Sequence, residues 1–111
     1  MGNATDKKTP RIILDHMDEL IELCQRFGVS RLEVFGSAMT DEFDFDRSDL
    51  DFLIDFPDDL DLGPWMRDFF LLEEALESLF GRSVDLVFLS GIRNPYFRRN
   101  IESTRTLLYA A

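Results

Sequence analysis

Two aspartates one residue apart, Asp49 and Asp51, stand at the mouth of an apolar run, twelve residues after the pair Gly36-Ser37. Val34-Phe35-Gly36-Ser37 reads as the end of a strand and a turn able to hold a phosphate. Ser48-Asp49-Leu50-Asp51-Phe52-Leu53-Ile54 reads as a second strand carrying two carboxylates. Alternate residues of a strand share a face. Leu50, Phe52, Ile54 and Phe56 can therefore pack inward while Asp49 and Asp51 converge. Two carboxylates held that close repel unless a cation lies between them. Oxygen-only ligands suit a hard cation, Mg²⁺ above all. Mg²⁺ beside a phosphate-holding turn is the apparatus of phosphoryl or nucleotidyl transfer. Taken singly, an acidic edge strand or a Gly-Ser turn is an ordinary surface feature; the joint spacing is what points to a site.

A third carboxylate, Asp85, is the sole charge in Val84-Asp85-Leu86-Val87-Phe88-Leu89. A lone Asp in an apolar strand is costly if buried without a partner, and costs little at an exposed strand end. If that strand lies beside Leu50–Phe56, Asp85 joins Asp49 and Asp51. Three carboxylates can hold two Mg²⁺ ions, one riding on nucleotide phosphates and one lowering the pKa of an attacking hydroxyl. Asp85 would bind the second ion and help take the proton.

The elements that must position these groups follow from punctuation and period. Residues 1–8 are polar and expected to fray or be disordered. Thr9-Pro10 reads as an N-cap followed by proline at the first helical position. Ile13, Met17, Leu20, Cys24 and Phe27 then form one helical face that Gly28 ends. His16 lies on that helix without an evident partner. Arg31 to Phe35 is a short strand, and residues 38–47 are a polar loop or helical turn. Pro57 stops the strand from Leu50 to Phe56. Gly63-Pro64 opens a helix with a buried stripe of Trp65, Phe69, Leu72, Leu76 and Leu79, capped by Gly81. Asn94-Pro95 starts a short helix through about Ile101, and Thr106 to Tyr109 forms a terminal strand. Helices alternating with strands predict one α/β (α+β) domain over residues 1–111: a short mixed sheet of three or four strands covered by helices.

Bulk properties narrow the field. At 111 residues and 45% hydrophobic content the chain can build one core. No apolar run reaches membrane-span length, and Met1 to Pro10 lacks the apolar centre of a signal peptide. The single Cys24 fits a reducing cytoplasm, and one Cys with one His argues against zinc. Net charge is −10, and Asp41 to Asp61 supplies most of it, with ten acids against Arg47 alone. Such a field repels a nucleic-acid backbone but admits Mg²⁺, a metal-bound nucleotide or a basic protein.

Gly36-Ser37, Ser48-Asp49-Leu50-Asp51 and Val84-Asp85-Leu86-Val87 together resemble the minimal nucleotidyltransferase (MNT) family of the DNA polymerase β-like superfamily. The resemblance spans residues 10 to 110 and implies a polymerase β palm-like nucleotidyltransferase fold. It implies that Gly36 and Ser37 hold the triphosphate, that Asp49 and Asp51 bind both metals, and that Asp85 completes the set. The family usually continues Gly-Ser with an Ala-Arg-Gly-like run. Here Ala38-Met39-Thr40-Asp41 has no arginine, and the loop is about one residue longer. Arg47 either replaces the missing arginine or pairs with a neighbouring acid.

Short members of the family often pair with a HEPN-domain ribonuclease toxin. The resemblance therefore implies an antitoxin that transfers AMP from ATP to a tyrosine hydroxyl near the toxin's active site. Two other functions stay open. One is a catalytically weak binding module that neutralises a toxin by contact. The other is a small-molecule nucleotidyltransferase acting as a homo-oligomer.

Overall fold

The computed structural model describes residues 9–39, 49–88 and 91–111. The start expected to fray, the acidic loop with Thr40, Asp41 and Arg47, and Leu89 as the expected end of the third strand lie outside the described residues.

Helices α1 (Arg11–Leu14) and α2 (Met17–Arg26) lead into strand β1 (Arg31–Phe35) and a 3₁₀ turn over Gly36–Met39. Strand β2 (Leu50–Asp55), a second 3₁₀ turn (Pro64–Met66) and helix α3 (Arg67–Phe80) follow. Strand β3 (Val84–Phe88), helix α4 (Pro95–Thr104) and strand β4 (Thr106–Ala110) close the chain. The four strands form one mixed sheet in the order β3-β2-β1-β4. β1 pairs antiparallel with β2 and β4, while β2 and β3 run parallel, joined by the α3 crossover.

β2 is buried on both faces, which explains its unbroken run Phe52-Leu53-Ile54. On one face Leu32, Val34, Leu50, Phe52 and Ile54 pack under the first three helices, against Ile13, Leu20, Cys24, Leu72 and Leu76. The free Cys24 is 1% exposed, and burial pushes its thiol up to about 12. On the other face Phe35, Leu53, Ile92 and Ile101 form a smaller cluster under α4. No helix among the described residues is long and apolar enough to cross a membrane.

Three local expectations change. The first helix is two helices, and its N-cap is Pro10 rather than Thr9, which is buried. The break follows from His16. Its amide bonds Ile13 O at 3.0 Å, leaving the Ile12 carbonyl free, and the His16 Nδ1–H donates to that carbonyl at 2.8 Å. His16 is therefore partnered, and its ring meets Phe80 edge-on. Trp65 also leaves the predicted stripe. It is 95% exposed, because Trp65 (φ 56°) and Met66 (φ 57°) turn left-handed before α3 begins. The α3 stripe is Phe69, Leu72, Leu76 and Phe80, with Leu79 only partly buried. At the other end, Asn94 caps α4 by accepting from Tyr96 N at 2.9 Å, and the helix runs on to Thr104.

Nothing in the pattern reading singled out Glu33, a buried acid in the middle of β1. Arg105 grips it in a fork, Nε to Oε1 at 2.8 Å and Nη2 to Oε2 at 2.6 Å, and Arg31 Nε donates to Oε2 at 2.8 Å. Arg105 also pairs with Glu102. The Arg105 guanidinium holds the Glu33 carboxyl below its ordinary range. Such a pair is costly to break, because removing one partner strands the other charge. Glu33→Gln should lower unfolding free energy at pH 7 by about 2–4 kcal/mol, since both arginines keep some contact with water. A lowered carboxyl pKa stabilises above the unfolded pKa, so the difference between variant and parent should shrink as pH falls below about 4. Urea titrations at pH 7 and pH 3 measure both effects.

Candidate active site

The parallel pairing of β2 and β3 sets Asp51 directly beside Asp85. In-register residues of neighbouring strands share a face, so both carboxyls project to the side covered by α4. Leu53 and Val87, the next residues on that face, are sealed under Ile92 and Ile101. Asp51 is half-buried and Asp85 is exposed, at the uncovered end of the same face. Asp49 sits just before β2, exposed, with its charge felt at Asp51.

Burial pushes the Asp51 carboxyl up to about 6, with further contributions from the charge of Asp85, a hydrogen bond with Asp85, and the charge of Asp49. A hydrogen bond between two carboxyls requires a proton on one of them. Asp51 and Asp85 therefore stand close enough for a proton or a cation to bridge them, while Asp49 acts through its charge. Among the described residues, no group of three or more His, Cys, Asp or Glu side chains is gathered as a ready-made metal cage. The donor chemistry nevertheless fits a hard divalent cation. All three groups offer oxygen alone, and the charges of Asp85 and Asp49 acting on Asp51 mark where positive charge is wanted.

Gly36 has a steric reason to be glycine. It follows Phe35, which pairs with Asp51 across the antiparallel ladder. A Cβ on Gly36 would lie 2.8 Å from Asp51 Oδ2, and its φ is +78°. The Gly36 N–H donates to Thr104 Oγ1 at 3.0 Å, so that amide is already committed. Ser37 lies in the 3₁₀ turn that follows. Phe97 of α4 packs edge-on against Phe35, with ring centroids 6.2 Å apart. Thr104, at the end of α4, precedes Arg105, so the Glu33–Arg105 pair fixes the residue that holds the turn. Thr104 and Arg105 carried no local signal; only Glu33, an acid among apolar neighbours like Asp85, could have been flagged.

Residues 18–108 match the family model described as a nucleotidyltransferase domain. The chain is 39% identical over 94 residues to the protein adenylyltransferase MntA of Thermococcus cleftensis, covering 85% of this chain and 87% of that protein. A solved structure provisionally assigned as a minimal nucleotidyltransferase superposes with a TM-score of 0.62 at 31% identity, over 86% of this chain and 91% of that one. The fold also matches a chain from a complex of tri-AMPylated Shewanella oneidensis HEPN toxin with MNT antitoxin. That match has a TM-score of 0.60 at 20% identity and covers 88% of this chain and 72% of that one.

Two outcomes follow from the geometry. Folded Asp51 binds its proton more tightly than the unfolded chain does. Its contribution to stability is therefore complete below pH 3.8 and lost as pH rises through about 6. In EDTA at pH 8, Asp51→Asn should be more stable than the parent by about 1–2 kcal/mol, the two-unit shift discounted for water at a half-buried group. The gain should vanish near pH 4; equal stability of the two proteins at pH 8 would contradict it. Gly36→Ala should cost about 1–3 kcal/mol in the same denaturation assay, from left-handed strain and displacement of the Asp51 carboxylate.

Proposed function

The chain belongs to the nucleotidyltransferase domain family, and on that premise we propose that it transfers AMP from ATP to a hydroxyl of a partner protein, with Mg²⁺. The proposed acceptor is a tyrosine of a HEPN-domain toxin, which the modification silences, so that the chain acts as an antitoxin. The observation that carries the chemistry is the in-register pair Asp51–Asp85, with Asp51 pushed up to about 6 and Gly36 cleared to let its carboxylate stand. The names of the relatives support the acceptor: one is a protein adenylyltransferase, and another pairs an MNT antitoxin with a tri-AMPylated HEPN toxin.

Asp49, Asp51 and Asp85 would hold the metal, which would relieve the repulsion among them. Mg²⁺ held there, as one ion or two, would neutralise charge on the triphosphate and make the attacking hydroxyl more acidic. The acceptor oxygen forms a bond to the α-phosphorus of ATP while the bond from that phosphorus to the bridging oxygen breaks. Pyrophosphate leaves, and the hydroxyl proton passes to a carboxylate oxygen of Asp85 or to water. The turn over Gly36–Met39 would hold the triphosphate with donors from Ser37 onward, since the Gly36 amide is held by Thr104. Thr104 and the Glu33–Arg105 pair position that turn without touching substrate.

A second reading has the chain neutralise its partner by contact alone. The commitment of the Gly36 amide to Thr104 favours it, because one phosphate donor is then lost.

Incubating the chain with α-labelled ATP, Mg²⁺ and a HEPN-domain ribonuclease toxin separates the two readings. Label should pass to the partner. Asp51→Asn and Asp85→Asn should each reduce transfer by at least about 100-fold, because both lose a metal-binding carboxylate. Inhibition of the partner without label, equally strong with Asp51→Asn, would replace the enzyme with the binding module.

A further inference from the structure

Trp65 is the chain's single tryptophan, and it is 95% exposed. It does not stand alone. Met66, Phe70 and Leu71 are exposed beside it at the start of α3, with Phe70 one helical turn beyond Met66. The buried Phe69 ties this edge to the core, stacking on Phe88 and meeting the Phe70 ring edge-on at 5.2 Å. Single apolar side chains on a surface are ordinary, but an apolar group with a tryptophan at its tip is what protein interfaces are built on.

The backbone is bent to put it there. Gly63 (φ 86°), Trp65 (φ 56°) and Met66 (φ 57°) are all left-handed, and only the first is a glycine. The bend is held from within. The Gly63 N–H donates to Asp61 Oδ1 at 2.8 Å, the Met66 N–H to Gly63 O at 3.2 Å, and the Asp68 N–H to Leu62 O at 2.8 Å. A left-handed backbone is strained for tryptophan and unstrained for glycine. Strain and exposure both oppose folding here, and burial against another surface would recover the second.

Charge selects the occupant. Asp58, Asp59 and Asp61 lead into the bend and are exposed, and Asp61 is tied into it. Arg67, inside the bend, is already paired with Asp68 at 3.1 Å. A second copy of the chain, with a net charge of −10, would set this acidic rim against itself. Nucleic acid and an anionic lipid surface are repelled for the same reason. A protein that handles RNA is basic where it meets the phosphate backbone, and so offers the complementary charge. We propose that Trp65, with Met66 and Phe70, docks into an apolar pocket rimmed by basic side chains on the ribonuclease partner. The proposal rests on the reading that the partner is such a protein. It concerns a different surface from the carboxylates: α3 runs 14 residues, about 20 Å, from this patch toward β3 and Asp85, on the opposite side of the sheet from α4. The contact therefore holds the partner and takes no part in the chemistry.

The test uses the whole chain with fluorotryptophan at Trp65 and a HEPN-domain ribonuclease toxin, without ATP. The single fluorine resonance reports the patch whatever tryptophans the toxin carries. It should shift saturably as toxin is added, and stay in place when the chain alone is concentrated. Trp65→Gly should act in two opposite directions. It should raise the melting temperature of the chain by a few degrees, since glycine takes the left-handed backbone without strain. It should also weaken toxin binding in calorimetry at least about tenfold, a loss of 1.4 kcal/mol or more. Asp58→Lys should weaken binding several-fold at low salt. The proposal is overturned if Trp65→Gly binds toxin as the parent does, if Asp58→Lys binds more tightly, or if the resonance moves with chain concentration alone, which would make the occupant a second copy. Toxin that binds or accepts label while the Trp65 resonance stays put removes this contact and leaves the transfer reading standing. Toxin that neither binds nor accepts label removes both.

Discussion

The repulsion between Asp51 and Asp85 is the constraint around which the chain is arranged. Two carboxylates side by side, one half-buried, oppose folding unless a proton or a cation separates them. The fold tolerates the arrangement because β2 is anchored by burial on both faces. Phe52 and Ile54 sit under the first three helices, and Leu53 sits under α4. Burying side chains of this size contributes roughly 1.5–3 kcal/mol each, enough to outweigh one strained pair. The unfavourable interaction is thereby kept in place for a ligand to relieve.

The turn over Gly36–Met39 is held to the pair by two different means. Gly36 makes room for the Asp51 carboxylate by having no side chain, and its amide is tied to Thr104. Thr104 is located in turn by its neighbour Arg105, forked onto Glu33 in the centre of the sheet. A buried ion pair is weak evidence of net stability, since desolvation offsets much of its Coulomb energy. Its directional value is clearer here: the fork fixes where α4 ends and β4 starts, and so where the turn sits against the carboxylates.

Much of this was legible in the sequence because it rests on local rules. Strand β1 runs Arg31–Phe35 as its pattern predicts, and the Asn94 cap and the Gly81 stop fall where capping chemistry puts them. Asp85 was readable as a lone charge in an apolar run, but only the parallel register shows that it meets Asp51. What failed depended on non-local or left-handed backbone. Trp65 fits the apolar period of α3 by spacing, yet two positive-φ residues place it outside the helix. The split at His16 arises from a side chain competing with its own backbone for the Ile12 carbonyl, which periodicity cannot register. Glu33 and Arg105 are 72 residues apart, so their pairing exists only once the sheet has formed.

Asp51 and Asp55 share a face of β2, separated by Leu53, and the contrast between them shows how neighbouring charge decides the role of an acid. Asp51 has another acid as its in-register neighbour, so what it lacks is a small, hard cation between oxygens. Asp55 has an arginine as its cross-strand neighbour, and although that Arg31 donates to Glu33, its charge and that of Arg105 still act on Asp55. Hard oxygen ligands that lack a counter-charge favour a metal ion, whereas a carboxylate already within reach of fixed arginines needs none. Leu53, sealed beneath Ile101, stands between the two positions. One strand can therefore carry an acid that calls for a cation at one end and an acid already served by arginines at the other, because the strands beside it set the charge at each.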